Sequence, residues 1–231
     1  MFKRLTKMLH RTRLKVCGLT RQEDVEACIA SGVDALGFVF YKPSKRCLTP
    51  EQAARLVHRL PAFVSSVALF VEPDVQAVEQ VIRVMRPTLL QFHGAETPDF
   101  CRQFNMPYLK VVRVGAPGLN TSQELIDYCM QFDDAAGLLF DSYTPAYGGS
   151  GHGFDRQLIV PLSQLVNARP ILISGGMTVD NVTQSIDLLT PWGVDVSSGV
   201  ETMPGVKSFD KIQAFVQAIS KADNRIQLSA V

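Results

Sequence analysis

The sequence predicts a single-domain (β/α)8 barrel, and two observations favour this fold. From residue 14 onward, short apolar runs alternate with helical segments of about ten residues. Eight units in 231 residues leave about 29 residues each, near the small end of the range of this fold. The predicted strands cover residues 14–17, 35–40, 64–71, 89–92, 108–114, 137–140, 171–173 and 194–196.

The runs are continuously apolar, which is typical of parallel strands buried on both faces. Helix starts follow the early runs, with a capping side chain or a proline in the first turn, at Thr20 and at 49–51, 72–74 and 97–99. The alternative is a doubly wound open sheet. That fold would place a Gly-x-Gly-x-x-Gly cluster after the first strand, and residues 17–20 read Cys-Gly-Leu-Thr.

The composition restricts the kind of partner. With 23 basic and 22 acidic residues, the net charge of +1 offers no field for nucleic acid or a membrane surface, and no apolar run is long enough to span a bilayer. The five cysteines are scattered without metal or disulfide spacing, which predicts no metal and a reducing, cytoplasmic location. We expect a frayed basic lead-in at residues 1–13, a barrel at 14–222 and a tail at 223–231.

Two reactive side chains follow predicted strands at the end where barrels of this kind have their active sites. Cys17 closes the first strand, although a lone cysteine among apolar residues is commonly inert. Asp141 follows the apolar sixth strand, where it either caps a loop or takes part in chemistry. The glycine-rich connection at 142–154 favours chemistry, because it predicts a lid over a substrate.

Glycines after the last two strands predict a phosphate site. Gly175 and Gly176 follow strand seven, and Ser198 and Gly199 follow strand eight. Glycines let backbone N–H groups approach an anion, and a short extra helix after strand eight would add its N-terminal charge. We therefore expect a small phosphorylated substrate.

Two further residues lie on the same predicted rim. Arg46 belongs to a basic loop after strand two, and its guanidinium could hold a planar carboxylate through two parallel hydrogen bonds. His93 ends strand four, where it serves either as a hydrogen-bonded structural residue or as a substrate contact.

Several short motifs occur together and in order: Lys-Val-Cys-Gly-Leu-Thr at 15–20, Gly-Phe-Val-Phe at 37–40, Ser-Lys-Arg at 44–46, Gln-Phe-His-Gly at 91–94, Asp141 with Gly-Gly-Ser-Gly at 148–151, Ser-Gly-Gly at 174–176, and Asp-Val-Ser-Ser-Gly-Val-Glu at 195–201. Together these motifs resemble the phosphoribosylanthranilate isomerase family, over residues 14 to about 219. The resemblance implies that a Cys17 thiolate is the general base, that protonated Asp141 is the general acid and that Arg46 holds the anthranilate carboxylate. It implies a cofactor-free Amadori rearrangement of a phosphosugar, with other tryptophan-pathway enzymes as partners.

Two other functions fit parts of this pattern. A Schiff-base aldolase on the same fold would use Lys110 on strand five as its nucleophile. A non-catalytic module could bind a phosphosugar, but it would have no use for both Cys17 and Asp141.

Overall fold

The computed structural model describes residues 11–145, 153–165 and 169–228. Eight parallel strands form a closed barrel in sequence order, and β1 closes it by pairing with β8, Arg13 opposite Gly193. This confirms the predicted (β/α)8 barrel, and the open sheet is wrong. The strands are β1 Arg13–Cys17, β2 Ala35–Val39, β3 Ser65–Phe70, β4 Leu89–Phe92, β5 Tyr108–Val114, β6 Gly137–Ser142, β7 Ile171–Ile173 and β8 Gly193–Val196.

One helix follows each strand and packs on the outside of the barrel. After β8, a short 3-10 turn at Ser198–Val200 and a two-stranded hairpin of β9 (Glu201–Met203) and β10 (Val206–Lys207) precede the last helix. No helix in the described ranges has the length and apolar character that a membrane span requires. The helices are α1 Gln22–Ala30, α2 Pro50–Val57, α3 Val75–Met85, α4 Pro98–Arg102, α5 Ser122–Cys129, α6 Val160–Ser163, α7 Val179–Leu189 and α8 Phe209–Leu228.

Three of the four predicted helix starts are capped by side chains. Thr49, Asp74 and Thr97 each accept a hydrogen bond from the backbone N–H three residues later. Thr20 does not cap α1, because its hydroxyl donates to the carbonyl of Gly205 at 2.6 Å. This residue instead ties the β1–α1 loop to the hairpin after β8.

The core has two layers, because successive strand residues face opposite sides of the barrel wall. On β5, Tyr108, Val112 and Val114 pack in the large cluster between strands and helices. Leu109 and Val111 face the barrel interior. The same alternation decides which side chains reach the mouth of the barrel.

The ends of the barrel differ from the expected boundaries. Helix α8 continues to Leu228, so residues 223–228 extend the barrel's last helix. Buried Asp223 accepts hydrogen bonds from the backbone N–H and the hydroxyl of Thr12, at 2.8 and 2.7 Å. This contact joins a residue of the expected lead-in to one of the expected tail. Residues 1–10 and 229–231 lie outside the described residues.

Candidate active site

A cavity opens at the carboxyl ends of the barrel strands and brings most of the predicted site residues together. Side chains from seven of the eight strands or their following loops line it, as expected for this fold. Gly199 lies beside it in the β8 loop. The predicted residues that line the cavity are Cys17, Arg46, His93, Asp141, Gly175, Gly176 and Ser198.

Cys17 ends β1 with its side chain on the inner face of the barrel, against Val39, Leu69 and Val71. Burial raises the pKa of the Cys17 thiol above its ordinary value, because removal from water disfavours the thiolate. The ammonium group of Lys15 opposes this rise. The environment of Cys17 therefore disfavours the thiolate through burial and favours it through nearby charge.

Lys15 is the charged residue nearest in sequence to Cys17 on the same face of β1. Its Nζ atom and the Cys17 Sγ atom both lie within 3.2 Å of the point that a Cβ at Gly37 would occupy. Nζ also lies 2.8 Å from Asp195 Oδ1, and both side chains are buried. Burial lowers the pKa of Lys15, but Asp195 and Cys17 outweigh burial and leave that pKa above its ordinary value.

A second buried lysine, Lys207 of β10, reaches the end of β1. Its Nζ atom donates to the carbonyl oxygens of Cys17 at 2.6 Å and Ser197 at 3.2 Å, and to Glu201 Oε1 at 2.8 Å. Burial lowers the pKa of Lys207 in spite of Glu201. The charge of this lysine also lowers the pKa of Cys17. Both lysines were missed at the sequence level, although a lysine two residues before Cys17 in a strand was a usable signal.

Asp141 lies near the end of β6, which runs two residues further than predicted, to Ser142. Its Oδ1 atom accepts from the backbone N–H of Ser142 at 2.8 Å, and Oδ2 lies 3.2 Å from His93 Nε2. The imidazole of His93 therefore lies against this carboxyl group. The ring of His93 thus contacts Asp141 and also lines the cavity, which is compatible with both roles expected for it.

The guanidinium of Arg46 faces a carboxylate of this chain. Its Nε and Nη2 atoms donate to Glu201 Oε1 and Oε2, at 2.8 and 2.5 Å. One two-donor edge of this guanidinium is therefore occupied by Glu201, a pairing that the sequence did not predict. A ligand can still meet the outer edge of the guanidinium, formed by Nη1 and the second hydrogen of Nη2.

The two glycine loops differ in why they need glycine. Gly175 and Gly176 have φ angles of +75° and +61°, which side-chain-bearing residues rarely adopt. A Cβ at Gly199 would lie 2.1 Å from the carbonyl oxygen of Met177, so Gly199 lets the β7 and β8 loops touch. The extra helix predicted after β8 is one 3-10 turn, Ser198–Val200.

The predicted lid is described only at its ends. Residues 146–152, which hold the glycine-rich centre of the 142–154 connection, lie outside the described residues. Beyond them, Arg156 donates from Nη2 to the carbonyl oxygen of Gly175 at 3.3 Å. This bond joins the segment before α6 to the β7 loop.

Lys110 does not reach the cavity. It is fully buried on the helix-facing side of β5, where Nζ donates to Gly94 O at 2.7 Å and to Glu96 Oε2 at 2.8 Å. A Schiff base requires access to a substrate carbonyl. The aldolase alternative therefore fails on geometry.

Known proteins match this chain over nearly its full length. The family model of N-(5'-phosphoribosyl)anthranilate (PRA) isomerase matches residues 14–218. The N-(5'-phosphoribosyl)anthranilate isomerase of Bordetella petrii is 48% identical over 217 residues, covering 94% of this chain and 99% of that protein. That of Dechloromonas aromatica is 46% identical and covers 94% and 100%.

Solved structures agree with the sequence matches. Phosphoribosyl anthranilate isomerase from Thermotoga maritima superposes with a TM-score of 0.82 at 36% identity, covering 91% of this chain and 99% of that one. A phosphoribosyl anthranilate isomerase in complex with reduced 1-(o-carboxyphenylamino)-1-deoxyribulose 5-phosphate gives a TM-score of 0.79 at 33% identity, with the same coverage. The chain belongs to the phosphoribosylanthranilate isomerase family.

Proposed function

We propose that this chain converts N-(5-phosphoribosyl)anthranilate to 1-(2-carboxyphenylamino)-1-deoxyribulose 5-phosphate, as an intramolecular oxidoreductase that turns an aldose into a ketose. The observation that carries the proposal is the placement of Cys17 and Asp141 at the ends of β1 and β6, in one cavity with the glycine loops after β7 and β8. A base and an acid on different sides of a sugar suffice for this reaction.

The first step needs an acid at the ring oxygen. Protonated Asp141 donates its proton to the furanose oxygen, the bond from that oxygen to C1' breaks, and the anthranilate nitrogen supplies the electron pair of the resulting iminium. His93, 3.2 Å from Asp141 Oδ2, orients the carboxyl group and can resupply its proton.

The second step needs a base at C2'. The Cys17 thiolate removes the C2' proton, and the electron pair of that C–H bond forms the C1'–C2' double bond of an enolamine while the iminium nitrogen is neutralised. Protonation at C1' and loss of the hydroxyl proton at O2' then give the ketone. Substrate and product are isomers, so the scheme needs no net oxidant or reductant, and a base and an acid are its only catalytic groups.

The two anionic ends of the substrate fit opposite parts of the rim. The phosphate lies against the backbone of Gly175, Gly176 and Ser198, which line the cavity and include the two glycines with positive φ angles. The anthranilate carboxylate meets the outer edge of Arg46, which Glu201 holds in place. This orientation leaves the sugar between Cys17 and Asp141.

The proposal includes a cytoplasmic location, in keeping with five cysteines that are all unpaired. Association with other enzymes of the tryptophan pathway stays a prediction.

The test is turnover by the purified chain, followed as the loss of anthranilate-substrate fluorescence. Cys17→Ala and Asp141→Asn should each lower kcat by about 100- to 10,000-fold, the usual contribution of a general base or acid, with little change in substrate affinity. Cys129→Ala, which changes a buried thiol on α5 outside the cavity, is the matched control. Absence of turnover by the unaltered chain would favour the non-catalytic phosphosugar module.

Complementation provides a second test that needs no purified substrate. The gene should restore growth without tryptophan to a strain that lacks this isomerase, and the Cys17→Ala gene should not. Equal growth with both genes would remove Cys17 from its assigned role.

A further inference from the structure

One buried polar side chain in the cavity has no role in the mechanism above. Gln91 lies on β4 with its side chain fully buried, and it lines the floor of the cavity. Within the described part of the chain, neither amide atom of Gln91, Nε2 or Oε1, has a hydrogen-bond partner.

The neighbours of Gln91 explain why it is unpaired. It stands in register with Leu69 of β3 and Leu109 of β5, and both leucines belong to the apolar clusters inside the barrel. Leu90 and Phe92, on either side of it in sequence, face the helices instead. Gln91 is thus a polar residue in an apolar layer, two residues below His93 on the same face of β4.

A buried amide without partners destabilises the fold, because its donor and acceptor have lost their hydrogen bonds to water and gained none in return. An apolar residue of similar size would fill the same space without that cost. The position therefore makes sense if a ligand completes the hydrogen bonds. Gln91 is one of the residues that line the cavity, and its partners in strand register offer its amide no hydrogen bond.

We propose that Gln91 is a substrate-binding residue whose amide pairs with a hydroxyl group of the sugar, a proposal that rests on the function proposed above. A hydroxyl can accept from Nε2 and donate to Oε1, so one group can satisfy both atoms. A phosphate or an ionised carboxylate only accepts, and would leave Oε1 unpaired. The chemistry of the amide therefore selects the middle of the substrate rather than either anionic end.

The placement on β4 agrees with this choice. The glycine loops of the proposed phosphate site follow β7 and β8, across the barrel from β4. Arg46 follows β2 and lies at the rim beside Glu201. Gln91 lies deeper in the barrel than His93 and Asp141. The part of the substrate that reaches Gln91 is therefore the sugar, which lies between the phosphate and the anthranilate carboxylate.

The test compares Gln91→Met with the unaltered chain and with Leu109→Met, a control that changes a neighbouring side chain of the same layer. Two quantities are measured: the Tm of the free protein, and the Kd values of two probes. The probes are reduced 1-(o-carboxyphenylamino)-1-deoxyribulose 5-phosphate, which carries sugar hydroxyls, and inorganic phosphate, which carries none.

We expect the Tm of free Gln91→Met to equal or exceed that of the unaltered chain by a few degrees, because the unpaired amide is gone. The Kd of the reduced analogue should rise about 10- to 100-fold, as for the loss of a buried hydrogen-bond partner. The Kd of inorganic phosphate should stay within about twofold. Leu109→Met should change neither Kd.

Three results would overturn the proposal. A lower Tm with an unchanged analogue Kd would mean that a buried water, not the substrate, pairs with Gln91. An equal rise in Kd for both probes would mean that the substitution distorts the whole site. No change in either quantity would leave Gln91 without a ligand.

If Gln91→Met fails to fold, Gln91→Leu is measured instead. Leucine matches the neighbours Leu69 and Leu109 and has neither donor nor acceptor, so it should weaken binding of the analogue and not of inorganic phosphate. Failure of the proposed function is separately visible. In that case the unaltered chain neither turns over the substrate nor binds the analogue, whereas failure of the Gln91 proposal leaves both intact.

Discussion

Replacing Lys15 by methionine tests how a buried thiol can serve as a base. Burial raises the pKa of Cys17, and the Lys15 ammonium group is the largest influence in the opposite direction. The Lys15 Nζ and Cys17 Sγ atoms both lie within 3.2 Å of the point that a Cβ at Gly37 would occupy, so the two atoms are at most about 6 Å apart. Two unit charges at that distance interact by about 3 kcal/mol at an effective dielectric of 20. Loss of this attraction should lower the thiolate fraction at neutral pH about 100-fold.

The assay is the pH profile of kcat/KM. A base must be deprotonated, so activity rises as pH increases through its pKa. Lys15→Met raises the pKa of Cys17 further, and the rising limb should therefore move to higher pH, with activity recovered at alkaline pH. The rate of Cys17 alkylation by iodoacetamide, which also requires the thiolate, should move in parallel.

Two further variants distinguish the loss of the Lys15 charge from a loss of folding stability. Lys15→Met leaves Asp195 buried without its partner, so Lys15→Met/Asp195→Asn removes both charges of the pair and leaves the net charge of the site unchanged. Lys110→Met breaks another buried ion pair, Lys110 with Glu96, on the helix side of β5, and should leave the pH profile in place. If Lys15→Met has the profile of the unaltered chain, or Lys110→Met shifts it equally, the charge argument is refuted.

Further predictions concern the two ends of the substrate and the buried thiols. Arg46→Lys should raise KM about 10- to 100-fold for the natural substrate and much less for an analogue without the carboxylate, because lysine lacks parallel N–H donors. An equal rise in KM for both would mean that Arg46 contacts only Glu201 of the hairpin and not the substrate carboxylate. Gly176→Val should raise KM and weaken competition by inorganic phosphate, because valine is strained at a φ of +61°; unchanged phosphate inhibition would contradict this. Burial raises the pKa of Cys28, Cys101 and Cys129 to about 12, so these thiols ionise at lower pH in the unfolded chain than in the folded one. The Tm should therefore fall as the pH rises from about 9 to about 12, and it should fall less in the variant with all three cysteines replaced by alanine. A Tm that does not change over this pH range in calorimetry would refute the prediction.

The barrel could be predicted because its signal is local. Apolar runs bounded by helix starts mark strands buried on both faces, and β4, β5 and β7 lie at the predicted residues. The misses are of another kind. Thr20 has the pattern of a cap, but its hydroxyl bonds to Gly205, far along the chain. Sequence periodicity carries no information on such contacts.

In the site too, features with a local sequence signal could be predicted and contacts between distant residues could not. Residue type and position at a strand end were enough to place Cys17 and Asp141 in one cavity. Arg46 could be assigned to the rim, but not to its pairing with Glu201, because the partner lies 155 residues away. The sequence gives Gln91 no role beyond its place in the motif at 91–94, because an unpaired amide becomes visible only when its strand neighbours are known to be leucines.

The charges around Cys17 give a physical reason for a base that burial alone would keep protonated. Three cations and two carboxylates form side-chain ion pairs beside Cys17, so these paired side chains carry one excess positive charge while the thiol is neutral. Formation of the thiolate cancels that excess inside a poorly hydrated site, where an uncompensated charge is expensive. Any single substitution that removes a cation should therefore disfavour the thiolate, and removal of a carboxylate should favour it, provided the fold is kept. The cations are Lys15, Arg46 and Lys207, and the carboxylates are Asp195 and Glu201.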